Sequence, residues 1–415
     1  MIGLVDVNNC FVSCERVFDP ALAGRPVAVL SNNDGCCIAR SNEFKALGIA
    51  MGTPYYQLKS RERSGELVFR SSNFELYGDM SRRLMSILAD EAVDVEQYSI
   101  DEAFITPPSR RGCDCETFGR RLRAKILRWT GLPCGIGFAP TKTLAKIADG
   151  IAKKVPGGVY ALPVDPTEIL SALPAGEVWG VGRRLPAKLR AERIFTAKDL
   201  RDAPESVLRA VGGATLARTA CELRGVPCMD GRGYDADPGS VSCSRSFGEP
   251  VTTLEGIQES IASFAAQAAA KLRRHSLLAS GCNIYAQVFR QGGGGDVAGR
   301  TVVFAAPTDA TNEMLGAIRP ETPALFTPGA RYRKTGIVFF GLEKAGAPVQ
   351  ADLFSQTPPR EASRLYKAID SLNARFGGGK VASAAEGVGS RPWHVKRGLL
   401  SKRATTRWEE LPTVK

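Results

Sequence analysis

Tyr98-Ser-Ile-Asp-Glu-Ala-Phe104 sets two adjacent carboxylates, Asp101 and Glu102, at the expected hairpin end of the extended stretch 93–102. Outward from it, the short apolar run Ile2–Val7 reads as a buried strand that carries Asp6 near its end. If the two strands are neighbours, three carboxylates converge at one sheet edge. Between them, Ser31-Asn-Asn-Asp-Gly35 reads as a turn and Asn42–Leu47 as a short helix, while Phe74, Tyr77, Leu84 and Leu88 recur at helical spacing. Phe118, Leu122 and Ile126 share one helix face, as do Leu144, Ile147, Ala148 and Ile151. This alternation of strands and helices predicts a mixed α/β sheet domain.

From 164 to 234 the pattern turns to short helices and closes in Gly231-Arg-Gly-Tyr-Asp-Ala-Asp-Pro-Gly239, whose turn residues read as a linker. Beyond it a strand at 241–247 precedes a helix that opens on the capping box Thr252-Thr-Leu-Glu255. Alternating Cys282, Ile284, Ala286 and Val288, a strand at 301–304, a helix near 312–318 and a strand at 332–340 complete the order βαββαβ. That order matches the ferredoxin-like split βαβ arrangement, which hosts many functions. After 345 the chain reads as less compact, broken by Pro358-Pro359 and Gly377-Gly-Gly379.

The 415 residues, 44% of them hydrophobic, exceed what one core can hold and predict three or four domains. No run approaches the ~18 apolar residues of a membrane span, and the opening lacks the basic start of a signal peptide, so a cytoplasmic protein is expected. Eleven cysteines without a Cys-x-x-Cys pair predict reduced thiols. With only His275 and His394 available, histidine-metal sites are nearly excluded and chemistry is expected to rest on carboxylates. A net charge of +12 points to a polyanionic partner, and the last 25 residues alone carry seven basic and two acidic side chains. Oxygen-only ligation at Asp6, Asp101 and Glu102 suits Mg²⁺, two ions of which can activate an attacking hydroxyl and neutralise a leaving pyrophosphate.

Asp6-Val-Asn-Asn-Cys-Phe-Val-Ser-Cys-Glu15, Tyr98–Phe104 and Gly135-Ile-Gly-Phe-Ala-Pro-Thr-Lys-Thr-Leu-Ala-Lys-Ile-Ala148 together resemble the Y-family translesion DNA polymerases. Leu30–Gly35, Val178-Trp-Gly-Val-Gly-Arg-Arg184, Cys243-Ser-Arg-Ser-Phe-Gly-Glu249 and Thr405-Thr-Arg-Trp408 narrow the resemblance to the UmuC-type catalytic subunits of bacterial DNA polymerase V. It implies an α+β multidomain right hand: palm at 1–163 with fingers inserted at about 12–73, helical thumb at 164–234, little finger at 241–345, and a C-terminal extension at 346–415.

By the same resemblance, Asp6, Asp101, Glu102 and the carbonyl of Val7 would hold two Mg²⁺ ions, and Phe11 would be a steric gate beneath the sugar. Lys45 and Lys153 would contact the triphosphate; Asn42 and Lys45 stand where relatives outside the UmuC group often carry Tyr and Arg. Cys10 replaces a usual aromatic and, with no histidine near it in sequence, reads as packing. Gly180, Gly182, Arg183 and Arg184 resemble a helix-hairpin-helix turn that meets a DNA phosphate. Arg245, Arg331, Arg333 and Lys334 are expected along a duplex backbone. Gln350-Ala-Asp-Leu-Phe354 resembles a sliding-clamp peptide anchored by Leu353 and Phe354. The implied activity is error-prone translesion synthesis in the SOS response, on primer-template DNA with deoxynucleoside triphosphates, beside the clamp, a UmuD′ dimer and RecA. No second carboxylate-rich domain is left for a proofreading nuclease. The rivals are a catalytically weak polymerase-fold scaffold and a palm-fold nucleotide cyclase, the latter leaving the helix-hairpin-helix and clamp-like segments unexplained.

Overall fold

The computed structural model describes residues 1–108, 114–229, 238–289, 295–346, 361–388 and 393–411. Gln350–Phe354 and all but the end of the expected linker 231–239 lie outside the described residues. The chain forms two compact units, one of Met1–Ala236 with Gly398–Lys415, the other of Asp237–Arg397.

The first unit holds, in chain order, β1 (Ile2–Val7), β2 (Val27–Leu30), β3 (Cys37–Arg40), β4 (Val68–Ser71), β5 (Asp94–Gln97), β6 (Glu102–Thr106), β7 (Cys134–Ala139) and β8 (Val159–Ala161). They make a five-stranded sheet, β5-β6-β1-β7-β8, and a three-stranded sheet, β3-β2-β4. Leu4, Val5 and Val7 are buried in β1 and every residue of β7 is buried, as strands covered on both faces require. The extended stretch 93–102 is two elements, since β5 ends at Gln97 and the chain turns through 98–101 before β6. Helices Phe74–Glu91, Cys115–Thr130 and Lys142–Ala152 begin on side-chain caps from Asn73, Asp114 and Thr141. Between 167 and 223 only helices occur, and the longest, Glu205–Leu223, is broken at Gly213, where φ is 69°.

One close approach in this unit decides where the functional side chains lie. A Cβ on Gly137 would fall 2.6 Å from the carbonyl oxygen of Ala145 and collide with the backbone nitrogen of Asp149, and one on Gly135 would meet the Asp149 carboxylate at 2.6 Å. The two glycines of β7 therefore let the helix Lys142–Ala152 rest its backbone on the sheet.

The second unit has β9 (Val241–Val251), β10 (Leu277–Val288), β11 (Val297–Thr308) and β12 (Tyr332–Lys344), with helices Leu254–Arg274 and Thr311–Ile318 in the expected order βαββαβ. Its sheet runs β11-β10-β12-β9, all neighbours antiparallel. Both crossovers are split, but the second and fourth strands are central, where the ferredoxin-like arrangement centres the first and third. β10 and β12 carry the fully buried Cys282, Ile284, Ala286, Ile337 and Phe339, so each needs a partner on both edges. The first helix is capped by Thr253, whose side chain accepts from the N–H of Gly256; the Thr252–Glu255 capping box is displaced by one residue.

The described residues of the extension include folded elements. Helix Glu361–Phe376 places Asp370 on Arg273 at 2.6 Å, and Tyr366 hydroxyl accepts from the N–H of Asn312 at 2.8 Å. Trp393, only 4% exposed, meets Phe264 edge-on at 5.8 Å within the core of this unit. Part of the basic last 25 residues is thus folded into this unit, where Lys396 pairs with Glu249 at 2.7 Å. Trp393→Ala should lower the unfolding free energy by about 3–5 kcal/mol, the cost of emptying an aromatic core site; urea unfolding of the full chain measures it, and a transition unchanged from the parent would refute the core role.

Candidate active site

β1 lies between β6 and β7, antiparallel to both, with Asp6 opposite Glu102 on one side and Gly135 on the other. The N–H of Val7 donates to the carbonyl of Asp101 at 3.0 Å. The hydroxyl of Ser99 accepts from the N–H groups of Asp101 (3.1 Å) and Glu102 (2.9 Å) and donates to Asp101 Oδ1 (2.6 Å), which fixes the turn. Asp6, Val7, Asp101 and Glu102, far apart in sequence, therefore share one sheet edge.

The helix seated on Gly137 adds Lys146 and Asp149, which sequence reading missed, and its C-cap is Lys153, which the sequence named. Lys146 Nζ contacts both Glu102 oxygens at 2.9 and 3.0 Å and sits over the rings of Tyr98 (4.6 Å) and Trp179 (5.2 Å). Lys153 Nζ bridges Asp6 Oδ2 at 2.8 Å and Asp149 Oδ2 at 2.7 Å. The signal was present in the spacing: Lys146, Asp149 and Lys153 stand at i, i+3 and i+7.

Burial and the adjoining Glu102 carboxylate push Asp6 up to about 8 against the pull of Lys153. For Glu102 burial acts upward, yet the bond to Asp6 and the ammonium of Lys146 outweigh it and hold the group low. Lys153 is raised: burial opposes the charge, and Asp6 and Asp149 overcome it. The two carboxylates are in contact and each is also paired with a lysine, Asp6 with Lys153 and Glu102 with Lys146. Asn8 Oδ1 and Asp149 Oδ1 are buried without a hydrogen-bond partner beside this edge. Among the described residues no three His, Cys, Asp or Glu side chains are gathered as a closed ligand group, because Asp6, Glu102 and Asp101 are turned to Lys153, Lys146 and Ser99. The donor set is nevertheless all oxygen, which fits a hard divalent cation. Cys10 does not compete: its contact with Cys14, together with burial and the nearby carboxylates, keeps its thiol strongly raised and protonated.

Asn9 adopts φ 49°, a left-handed conformation asparagine tolerates, and begins the helix Cys10–Phe18. Its amide donates to Asn42 Oδ1 at 3.0 Å, and its Oδ1 accepts from Lys45 Nζ at 2.6 Å. Asn42 and Lys45, from the three-stranded part, are so brought to the end of β1. Partial burial, with Arg40 and Lys153 close by, draws Lys45 below the ordinary lysine value. Arg40 and Lys153 are thus charged neighbours of Lys45, of which the sequence announced only Lys153. Phe11 is half-buried, stacked on Tyr77 at 4.5 Å and 12° and edge-on to Phe74 at 5.9 Å.

Gly180 has φ 90° and would set a Cβ 3.0 Å from Thr219 Oγ1, while Gly182 faces open space and Arg183 and Arg184 are exposed. These four residues are on the helical segment, immediately after Trp179, whose ring lies 5.2 Å from Lys146 Nζ. In the other unit Arg245 and Arg331 are exposed, Arg333 and Lys334 half-buried, with Arg331 over Phe289 and Lys334 over Tyr285.

Comparison with known proteins places residues 5–150 in the impB/mucB/samB family and 238–353 in that family's C-terminal domain, while 363–414 match a domain of unknown function. Protein UmuC of Salmonella typhimurium strain LT2 is 41% identical over 424 residues, covering 100% of both chains. DNA polymerase IV 1 of Bacillus subtilis strain 168 is 29% identical over 390 residues, 90% of each. Among solved structures, a Y-family DNA polymerase chimera of Dbh and Dpo4 superposes with a TM-score of 0.65 at 20% identity, covering 83% of this chain and 100% of that one. Among the described residues no helix is long and apolar enough to cross a membrane.

Proposed function

Because this chain belongs to the impB/mucB/samB family, the UmuC-type Y-family DNA polymerases, we propose that it performs error-prone, template-directed synthesis past damaged bases by two-metal nucleotidyl transfer, without proofreading, in the SOS response. The observation that carries this is the edge at which Asp6, Asp101 and Glu102 meet beneath the cations Lys45 and Lys153. In this assignment the five-stranded sheet is the palm, the three-stranded sheet the fingers, 164–234 the thumb and 241–345 the little finger.

Asp6, Asp101, Glu102 and the Val7 carbonyl would hold Mg²⁺, which when bound activates the primer 3′-hydroxyl and neutralises the departing pyrophosphate. The chain's own residues do the positioning. Lys153 leaves Asp6 for the triphosphate when the carboxylate gains another counter-charge, and Lys45, as a point charge without an arginine fork, holds the same polyanion. Asn9 keeps Lys45 and Asn42 in register with β1. Phe11 underlies the sugar. Gly180 and Gly182 offer backbone N–H groups to a DNA phosphate, with Arg183 and Arg184 adding charge. Primer extension on intact and damaged templates, with and without Mg²⁺, tests the assignment: extension past the lesion that requires the metal is expected, and its absence in the fully assembled enzyme counts against it.

Partners follow from the same assignment: the sliding clamp through Gln350–Phe354, and a UmuD′ dimer with RecA. Leu353 and Phe354 are apolar anchors, so clamp binding should tolerate salt. Replacing both by Ala should abolish clamp-stimulated synthesis and leave insertion on short primers intact. Clamp affinity measured at two salt concentrations decides it; equal binding by parent and variant would make the peptide a linker only.

A further inference from the structure

The matched domain of unknown function ends in a segment that packs on the first unit, and its contacts lead to the residues under Phe11. Gly398 N–H donates to Asp34 Oδ2 at 2.8 Å. Leu399 exchanges two bonds with Ser71, its carbonyl accepting from the Ser71 N–H and its own N–H donating to Ser71 Oγ, both 2.9 Å. Arg403 closes the segment on itself by pairing with Glu410 and reaches Glu75 at 3.8 Å.

At the centre of this strap lies Ser401. Asn73, the cap of helix Phe74–Glu91, donates its amide to Ser401 Oγ at 2.9 Å, and the Ser401 hydroxyl donates to Glu15 Oε1 at 3.0 Å. Glu15 is 2% exposed, a carboxylate far too deep to go unpartnered. Its same oxygen accepts from the Tyr77 hydroxyl at 2.6 Å, and Tyr77 carries Phe11 on its ring face. Burial raises the Glu15 carboxyl, and the two hydroxyls draw it back. Phe11 and Glu15 are one helical turn apart on Cys10–Phe18, and Tyr77 joins them, stacking on the Phe11 ring and donating its hydroxyl to Glu15.

We propose that the strap 398–411 positions the steric gate, Ser401 fixing Glu15, Glu15 fixing Tyr77, and Tyr77 setting the plane against which Phe11 rests. Ser401 is a positioning residue, distant from the reacting atoms, and its role rests on the assignment of Phe11 as the gate. Removing its hydroxyl leaves Glu15 short of one donor, and the Tyr77–Phe11 stack gains freedom to retreat from a ribose hydroxyl. Discrimination between sugars should fall while the carboxylates of the sheet edge stay in place.

The test compares insertion of ATP and dATP opposite template thymine by the full-length chain, in whatever assembly the parent requires, for the parent, Ser401→Ala, Ser401→Thr, Phe11→Ala and the Ser401→Ala/Phe11→Ala pair. Ser401→Ala should raise the ribonucleotide-to-deoxynucleotide ratio of kcat/KM about three- to tenfold, the span of one ordinary net hydrogen bond. Ser401→Thr, which keeps the hydroxyl, should restore the parent ratio. In the Phe11→Ala background, Ser401→Ala should add nothing, since both act through one ring. Deoxynucleotide insertion by every variant reports that it has folded. A parental ratio in Ser401→Ala, with a raised ratio in Phe11→Ala, overturns the strap's role and leaves the gate standing. Equal effects of Ser401→Ala with and without Phe11 overturn the route through Tyr77. An unchanged ratio in Phe11→Ala removes the gate, and the strap's role with it.

Discussion

Asp101→Ala and Glu102→Ala should each reduce nucleotide insertion by about a thousandfold or more, because losing a metal-holding carboxylate forfeits several kcal/mol of charge stabilisation needed only in the transition state. DNA affinity should stay close to that of the parent, since the phosphate contacts proposed for Gly180, Gly182, Arg183 and Arg184 lie on another segment and the duplex is held by many dispersed charges. The two variants differ in what they release. Asp101→Ala removes the acceptor of Ser99 and loosens the turn. Glu102→Ala frees Lys146 from its ion pair within the Tyr98 and Trp179 rings and leaves Asp6 with Lys153 alone. Single-turnover insertion beside fluorescence-anisotropy DNA binding separates chemistry from affinity. Insertion at the parental rate by either variant, under conditions where the parent requires Mg²⁺, would remove that carboxylate from the mechanism.

The carboxylate edge was legible because each of its two parts is contiguous in sequence: an apolar run ending at Asp6, and Asp101-Glu102 at a turn. What joins them, the Asp6–Glu102 register, is a property of pairing that a single strand does not encode. The helix of Lys146, Asp149 and Lys153 was visible as an apolar stripe, but its height above the sheet depends on Gly135 and Gly137, whose missing side chains leave no mark in a hydrophobic pattern. Strand order in the second unit was illegible for a like reason. βαββαβ is compatible with more than one pair of central strands, and the choice fell to those with the most fully buried side chains. The packing of the strap 398–411 went unread, although Thr405–Trp408 within it supported the resemblance: its polar contacts reach Asp34, Ser71, Asn73 and Glu15, and hydrogen bonds between distant segments have no period. The basic count of the last 25 residues did not reveal that Trp393 among them is buried, because composition reports charge but not burial.

Phe11→Ala should raise ribonucleotide insertion relative to deoxynucleotide insertion by about a hundredfold, within the range by which a shaped apolar pocket discriminates between substrates. The physical basis is steric. Phe11 is held between the Tyr77 ring face and the Phe74 edge, and two flanking rings deny it a rotamer of escape. A deoxyribose passes over such a ring, whereas a 2′-hydroxyl must displace it. Alanine removes the obstacle and also the ring on which the sugar rests, so deoxynucleotide insertion should fall modestly, by about threefold to tenfold, through a higher KM. Phe11→Leu should behave as an intermediate, because it keeps bulk without the flat stack on Tyr77. Steady-state insertion of matched ribo- and deoxynucleotides opposite one template base gives the ratio directly. A ratio equal to that of the parent in both variants would make Phe11 a member of the Tyr77 and Phe74 packing and nothing more.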